Sequence, residues 1–90
     1  MSNPDPRSIR RIFLSPRPNV PLMTAADLLG MSLRELKRDI ADGTIVAVST
    51  AMGTKVTKEE LIATAMRLWD QSAIEEALGD DAPRLIPEAI

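Results

Sequence analysis

The chain of 90 residues has no cysteine, no histidine and no tyrosine, and its large rings are limited to one Phe and one Trp. Without cysteine there is no disulfide, thiolate metal site or cysteine nucleophile, and nothing argues for an oxidising compartment. Without histidine the commonest general base is missing, and the four glycines form no phosphate-cradling loop. The acid pairs Glu59-Glu60, Glu75-Glu76 and Asp80-Asp81 are consecutive. On a helix such neighbours diverge by about 100°, a poor arrangement for paired-carboxylate catalysis or metal binding. A protein that is not an enzyme is expected, with no cofactor, no metal and no small-molecule substrate. No apolar run approaches the roughly 18–20 residues of a membrane span, and Pro4, Asp5 and Pro6 stand where a signal peptide needs an apolar stretch. The expected location is therefore cytoplasmic, with no membrane partner.

What is present suits one small domain with 44% apolar residues, and with so few rings the interior must be filled by Leu, Ile, Val, Met and Ala in close-packed helices. Net charge is −2, but it is divided along the chain. Residues 1–58 carry nine Lys/Arg against five Asp/Glu, a net of +4, and residues 59–90 carry two against eight, a net of −6. A basic front half suggests an anionic partner.

Residues 1–21 hold five of the seven prolines, Pro4, Pro6, Pro16, Pro18 and Pro21. Proline removes amide donors and holds its predecessor extended, so this stretch reads as a basic arm carrying Arg7, Arg10, Arg11 and Arg17. Within it, residues 8–14 suit a short extended segment that lays Ile12, Phe13 or Leu14 on the body.

From Leu22 one signal recurs in Met23-Thr24-Ala25-Ala26-Asp27-Leu28, Met31-Ser32-Leu33-Arg34-Glu35-Leu36 and Val56-Thr57-Lys58-Glu59-Glu60-Leu61. Each has a Ser/Thr able to cap a helix, an acid three residues on, and apolar residues placed to staple the turn. Three helices are predicted, over 25–29, 33–42 and 58–78, with Gly30, Gly43 and Gly79 as their stops. Only Gly30 and Met31 separate the first helix from the cap of the second, the tight corner of a helix-turn-helix. Residues 44–50 read as a strand, 51–53 as a turn and 54–56 as a return strand, together a hairpin wing. In the third helix Leu61, Ile62, Ala65, Met66, Leu68, Trp69 and Ala73 share one arc and Ile74 and Leu78 fall outside it. Either the helix breaks near residues 70–72 or its later turns face a second surface. Trp69 and the methionines suit core filling. Met66, Trp69, Ile74 and Leu78 are the candidate residues of a dimer or partner interface. Residues 80–90 form an acidic, apolar-flecked tail without a terminating signal, consistent with a fragment or with a tail that packs on a partner.

The second helix separates into three faces: Leu33, Leu36 and Ile40; Arg34, Lys37 and Arg38; and Glu35, Asp39 and Asp42. Like charges stand four apart at Arg34 and Arg38 and at Glu35 and Asp39, where a solvated helix more often sets opposite charges at that spacing. Such a cationic flank suits the DNA major groove, where Arg reads guanine and Lys and Arg neutralise phosphates. The start of the helix at Ser32 offers amides and a hydroxyl to a phosphate. Thr50, Thr54 and Lys55 at the wing tip offer contacts to the flanking backbone, and Arg10 and Arg11 of the arm can reach a minor groove.

The run Leu22 to Ser32, with Leu36, Ile40, Asp42-Gly43-Thr44-Ile45 and Val56-Thr57-Lys58-Glu59-Glu60-Leu61, resembles the excisionase and MerR-like winged helix-turn-helix family over about half the chain. The resemblance implies a mainly α fold of three helices and two short strands spanning residues 22–79. It also implies a second helix that reads double-stranded DNA through Ser32, Arg34, Lys37 and Arg38, a wing on the flanking backbone, and action as a dimer or an array. Strong binders of that family carry an aromatic at the position of Lys37 and more basic residues in the wing than Lys55, which lowers the expected affinity. A DNA-reading front and a partner-binding tail would also suit an antitoxin that represses its own gene. The alternative is a protein-interaction module, using the third helix and acidic tail, in which the basic face is an ordinary solvated surface.

Overall fold

The structure is a computed structural model and describes residues 5–86. Its first element overturns the extended arm, because Pro6–Phe13 form a helix, α1. Asp5 caps it through its carboxylate, which accepts from the Arg7 amide at 2.9 Å. Pro6 takes the first helical position, where a missing amide costs nothing and a fixed φ is already helical. Arg10 and Arg11 lie in the last turn, against the negative helix end. The i, i+3, i+4 spacing of Ile9, Ile12 and Phe13 then turns all three inward, each at most 1% exposed. Leu14, the third apolar candidate for contact with the body, is 46% exposed.

Beyond α1 the chain is tied down at two points. Lys58 donates through its ammonium to the Ser15 carbonyl at 2.9 Å and through its amide to the Pro18 carbonyl at 2.9 Å. A strand unforeseen from sequence follows, Asn19–Pro21, β1. Its neighbour is Gly53–Thr57, β3, which also pairs with Val48–Thr50, β2, in an antiparallel sheet of order β1-β3-β2. The register sets Val20 opposite Val56, and both are buried. Pro21 is tolerated because β1 is an edge strand.

Helix α2, Leu22–Leu29, begins directly at the end of β1. Thr24 is therefore not its cap. Pairing of Pro21 with Lys55 fixes where strand gives way to helix, and this tertiary constraint outweighs the local capping signal. The other end is as expected: Gly30 adopts φ 69°, its amide donates to Asp27 and the Met31 amide donates to Ala26. These two bonds make a Schellman stop that only a residue at ease with positive φ can hold. Helix α3, Leu33–Ala41, opens with both halves of the capping box between Ser32 and Glu35.

The strand predicted over 44–50 is confined to Val48–Thr50. Its first half is spoken for elsewhere: Thr44 donates to the Asp42 carboxylate, Ile45 to the Asp39 carbonyl and Val46 to Glu60. With those donors engaged, no ladder can form there. Ile45 fills the core from this loop.

Thr57 caps α4, Lys58–Leu68, accepting from the Glu60 amide at 3.1 Å. Of the two options for the third helix, the break is the one adopted. Trp69 and Asp70 are extended, and α5, Gln71–Leu78, starts afresh. A turn of 3-10 helix, Gly79–Asp81, and a single turn, α6 at Ala82–Leu85, complete the described chain. The molecule is thus mostly helical, with five helices of eight residues or more and a three-stranded sheet, where three helices and two strands were expected. Helix α1 packs on α2, α4 and α5, and α3 packs on α2. No helix of the described residues is long and apolar enough to cross a membrane.

Candidate nucleic-acid interface

Helix α3 is rooted by Leu36, which is 0% exposed, with Leu33 and Ile40 half-buried on either side. That stripe fixes the rotation of the helix and sets Arg34, Lys37 and Arg38 outward, all three exposed and spaced i, i+3, i+4 along one face. Its acids are used differently. Glu35 closes the capping box, accepting from the Ser32 amide at 3.4 Å. Asp42, past the last turn, accepts from both the hydroxyl and the amide of Thr44. These two bonds, hydroxyl first, lower its pKa from the ordinary 3.8. Among the described residues one ion pair forms, between Arg84 and Asp81, so no α3 cation stands at ion-pair distance from a carboxylate there, although Arg38 is near enough to Asp42 to add to its lowered pKa. Glu35 and Asp42 finish the ends of the helix, Asp39 stays on its flank, and the cations face solvent.

Three of the sequence-derived contacts need correction. At the start of α3 the box engages the amides of Ser32 and Glu35 and places a carboxylate beside them, which leaves less of that end for a phosphate. The Thr50 hydroxyl is committed to the hairpin turn, donating to the Gly53 carbonyl at 2.8 Å and accepting from the Met52 amide at 3.2 Å. Arg10 and Arg11 stand on a packed helix, not on an extended arm, and Arg10 donates to the Ala77 carbonyl at 3.3 Å. They cannot thread a minor groove as an arm would. Thr54 is exposed and Lys55 half-buried, and as neighbours on β3 they point to opposite faces of the sheet. The turn itself depends on Gly53, whose φ of 111° follows two residues of negative φ.

The proposed partner interface also dissolves in part. Ile74 at 0% and Leu78 at 6% exposure belong to the molecule's own core, because the break at Trp69 and Asp70 lets α5 turn its apolar side inward. Met66 and Trp69 are half-buried and pack against the same core. Sequence reasoning missed Arg7, Arg11 and Arg17 as walls of one groove beside α1. The spacing of Arg7, Arg10, Arg11 and Leu14, i, i+3, i+4, i+7, was the available signal, once Pro6 is read as a helix start.

Comparison of the chain with known protein families, with curated proteins and with solved structures gives no match in any of the three.

Proposed function

We propose that this protein is a DNA-binding regulator that places α3 in the major groove, in the manner of a winged helix-turn-helix. The observation that carries the reading is the division of charge on α3: the carboxylates of Glu35 and Asp42 are held by the helix ends, and Arg34, Lys37 and Arg38 share one exposed face with no ion pair to a carboxylate among the described residues. A cationic flank of this kind serves both phosphate neutralisation and base readout. The Schellman corner between α2 and α3 and the hairpin that follows supply the rest of the motif, with Thr54 and Lys55 as backbone contacts. Lys55 is the one hairpin cation, so affinity is modest and rises by orders of magnitude when two linked copies act on neighbouring half-sites. The working compartment is the cytoplasm, and the layout of basic front and acidic tail fits a repressor of its own gene, as in an antitoxin.

Footprinting on the duplex upstream of its own gene, with mobility-shift titration at two salt concentrations, tests this. A protected repeat is expected, with affinity falling steeply as salt rises and dropping about tenfold or more in Arg34→Ala/Arg38→Ala. No shift at low salt, or a shift indifferent to those two residues, overturns the reading.

A further inference from the structure

Arg7 and Arg11 stand one turn apart on α1, about 6 Å along its axis, and Arg17 follows after the helix. They rim a groove of about 640 Å3 between α1, the segment after it and α2. Buried Val20 and Leu28 lie at its base, half-exposed Leu14 stands at its lip, and no Asp or Glu among the described residues lines it. This surface has two characters at once, a row of guanidiniums and an apolar trough. A single phosphate or carboxylate needs one or two donors, whereas Arg7 and Arg11 repeat at the pitch of a helix and Arg17 extends the cationic lining beyond it. Duplex DNA matches the charge but offers no apolar ridge to fill the space above Leu14, Val20 and Leu28.

We propose that the α1 groove binds an acidic amphipathic helix of a partner protein, seating its leucine-like side chains between Leu14 and Leu28 and its carboxylates on Arg7, Arg11 and Arg17. Carboxylates at i and i+4 of such a helix repeat at the spacing of Arg7 and Arg11, and Arg can take each one bidentately. Apolar anchors at i, i+3 and i+4 fill the trough as in other helix-in-groove complexes. This site is separate from the α3 face, so either can fail without the other.

The test uses the full chain and a fluorescein-labelled synthetic helix of about 14 residues, blocked at both ends, with Glu on one side and Leu on the adjoining side. Fluorescence anisotropy is expected to show a Kd in the micromolar range at low salt. Arg7→Glu/Arg11→Glu is expected to weaken it about tenfold or more, and Leu14→Ser about threefold, with Arg34→Ala/Arg38→Ala without effect. Arg17→Glu, outside the helix, gives the same sign even if the double variant loosens α1. The proposal is overturned if a peptide with every Leu replaced by Ser binds equally well, which makes the groove a plain polyanion site. It is equally overturned if no binding appears up to about 1 mM peptide. Duplex DNA binding that depends on Arg7 and Arg11 also overturns it, assigning the groove to nucleic acid.

Discussion

Helices α1 and α3 each set three cationic side chains on the surface, yet α1 is rooted by Ile9, Ile12 and Phe13, all fully buried, and α3 by Leu36 alone. The difference follows from position in the chain. Helix α1 lies against three other helices, so its arginines stand over a concavity formed with its neighbours. Helix α3 rests on α2, exposes two charged faces and depends on its caps for the definition of its ends. Similar side chains therefore stand on different surfaces, over a trough at α1 and on an open helix face at α3, and two different partners are proposed for them on that ground.

The comparison breaks most readily at Phe13. Phe13→Ala is expected to cost about 3–5 kcal/mol of unfolding free energy by urea denaturation, against about 2–4 kcal/mol for Leu36→Ala. A loss under about 1 kcal/mol for Phe13→Ala would make α1 a detachable arm after all. Sharpening comes next from Arg34→Ala/Arg38→Ala, which is expected to lower the slope of log affinity against log salt on duplex DNA by about two and leave stability within about 0.5 kcal/mol. A large loss of stability in that variant would mean the α3 cations support the fold. Ser32→Ala removes one half of the capping box, and a thermal melt should report a loss of about 1 kcal/mol. An unchanged melting temperature would show that α3 is held from elsewhere.

Asp42→Asn is the smallest effect, and its sign depends on pH. The carboxylate of Asp42 has a lowered pKa in the folded state, chiefly through the Thr44 hydroxyl and then the Thr44 amide. Its contribution is present above the unfolded value near 3.8 and is lost as pH falls through the lower folded value. The melting temperatures of Asp42→Asn and the native chain should thus differ slightly at neutral pH and converge in strong acid. A gap that widens on acidification would contradict the assignment.

The features that sequence disclosed best are those closed within a few residues. The Ser32–Glu35 box, the left-handed Gly30, the Thr57 cap and the turn before Gly53 each satisfy backbone groups locally, so residue type and spacing suffice. Thr24 shows the limit: its hexad has the capping pattern, yet pairing of Pro21 with Lys55, 34 positions along the chain, starts the helix earlier. Prolines around α1 concealed a helix because proline is as suitable at a first helical position as in an arm, and the choice rests on whether Ile9, Ile12 and Phe13 find a core.

By itself the sequence determined the Gly30 stop, the Ser32 and Thr57 caps, the hairpin turn and the cationic stripe of α3, since capping, turn chemistry and 3.6-residue periodicity act over one or two turns. Tertiary structure alone decided that residues 6–13 are helical and central, that β1 adds a third strand, that Ile74 and Leu78 turn inward, and that Arg7, Arg11 and Arg17 meet around one groove. Those outcomes depend on which distant apolar surfaces bury one another, a choice that no local pattern encodes.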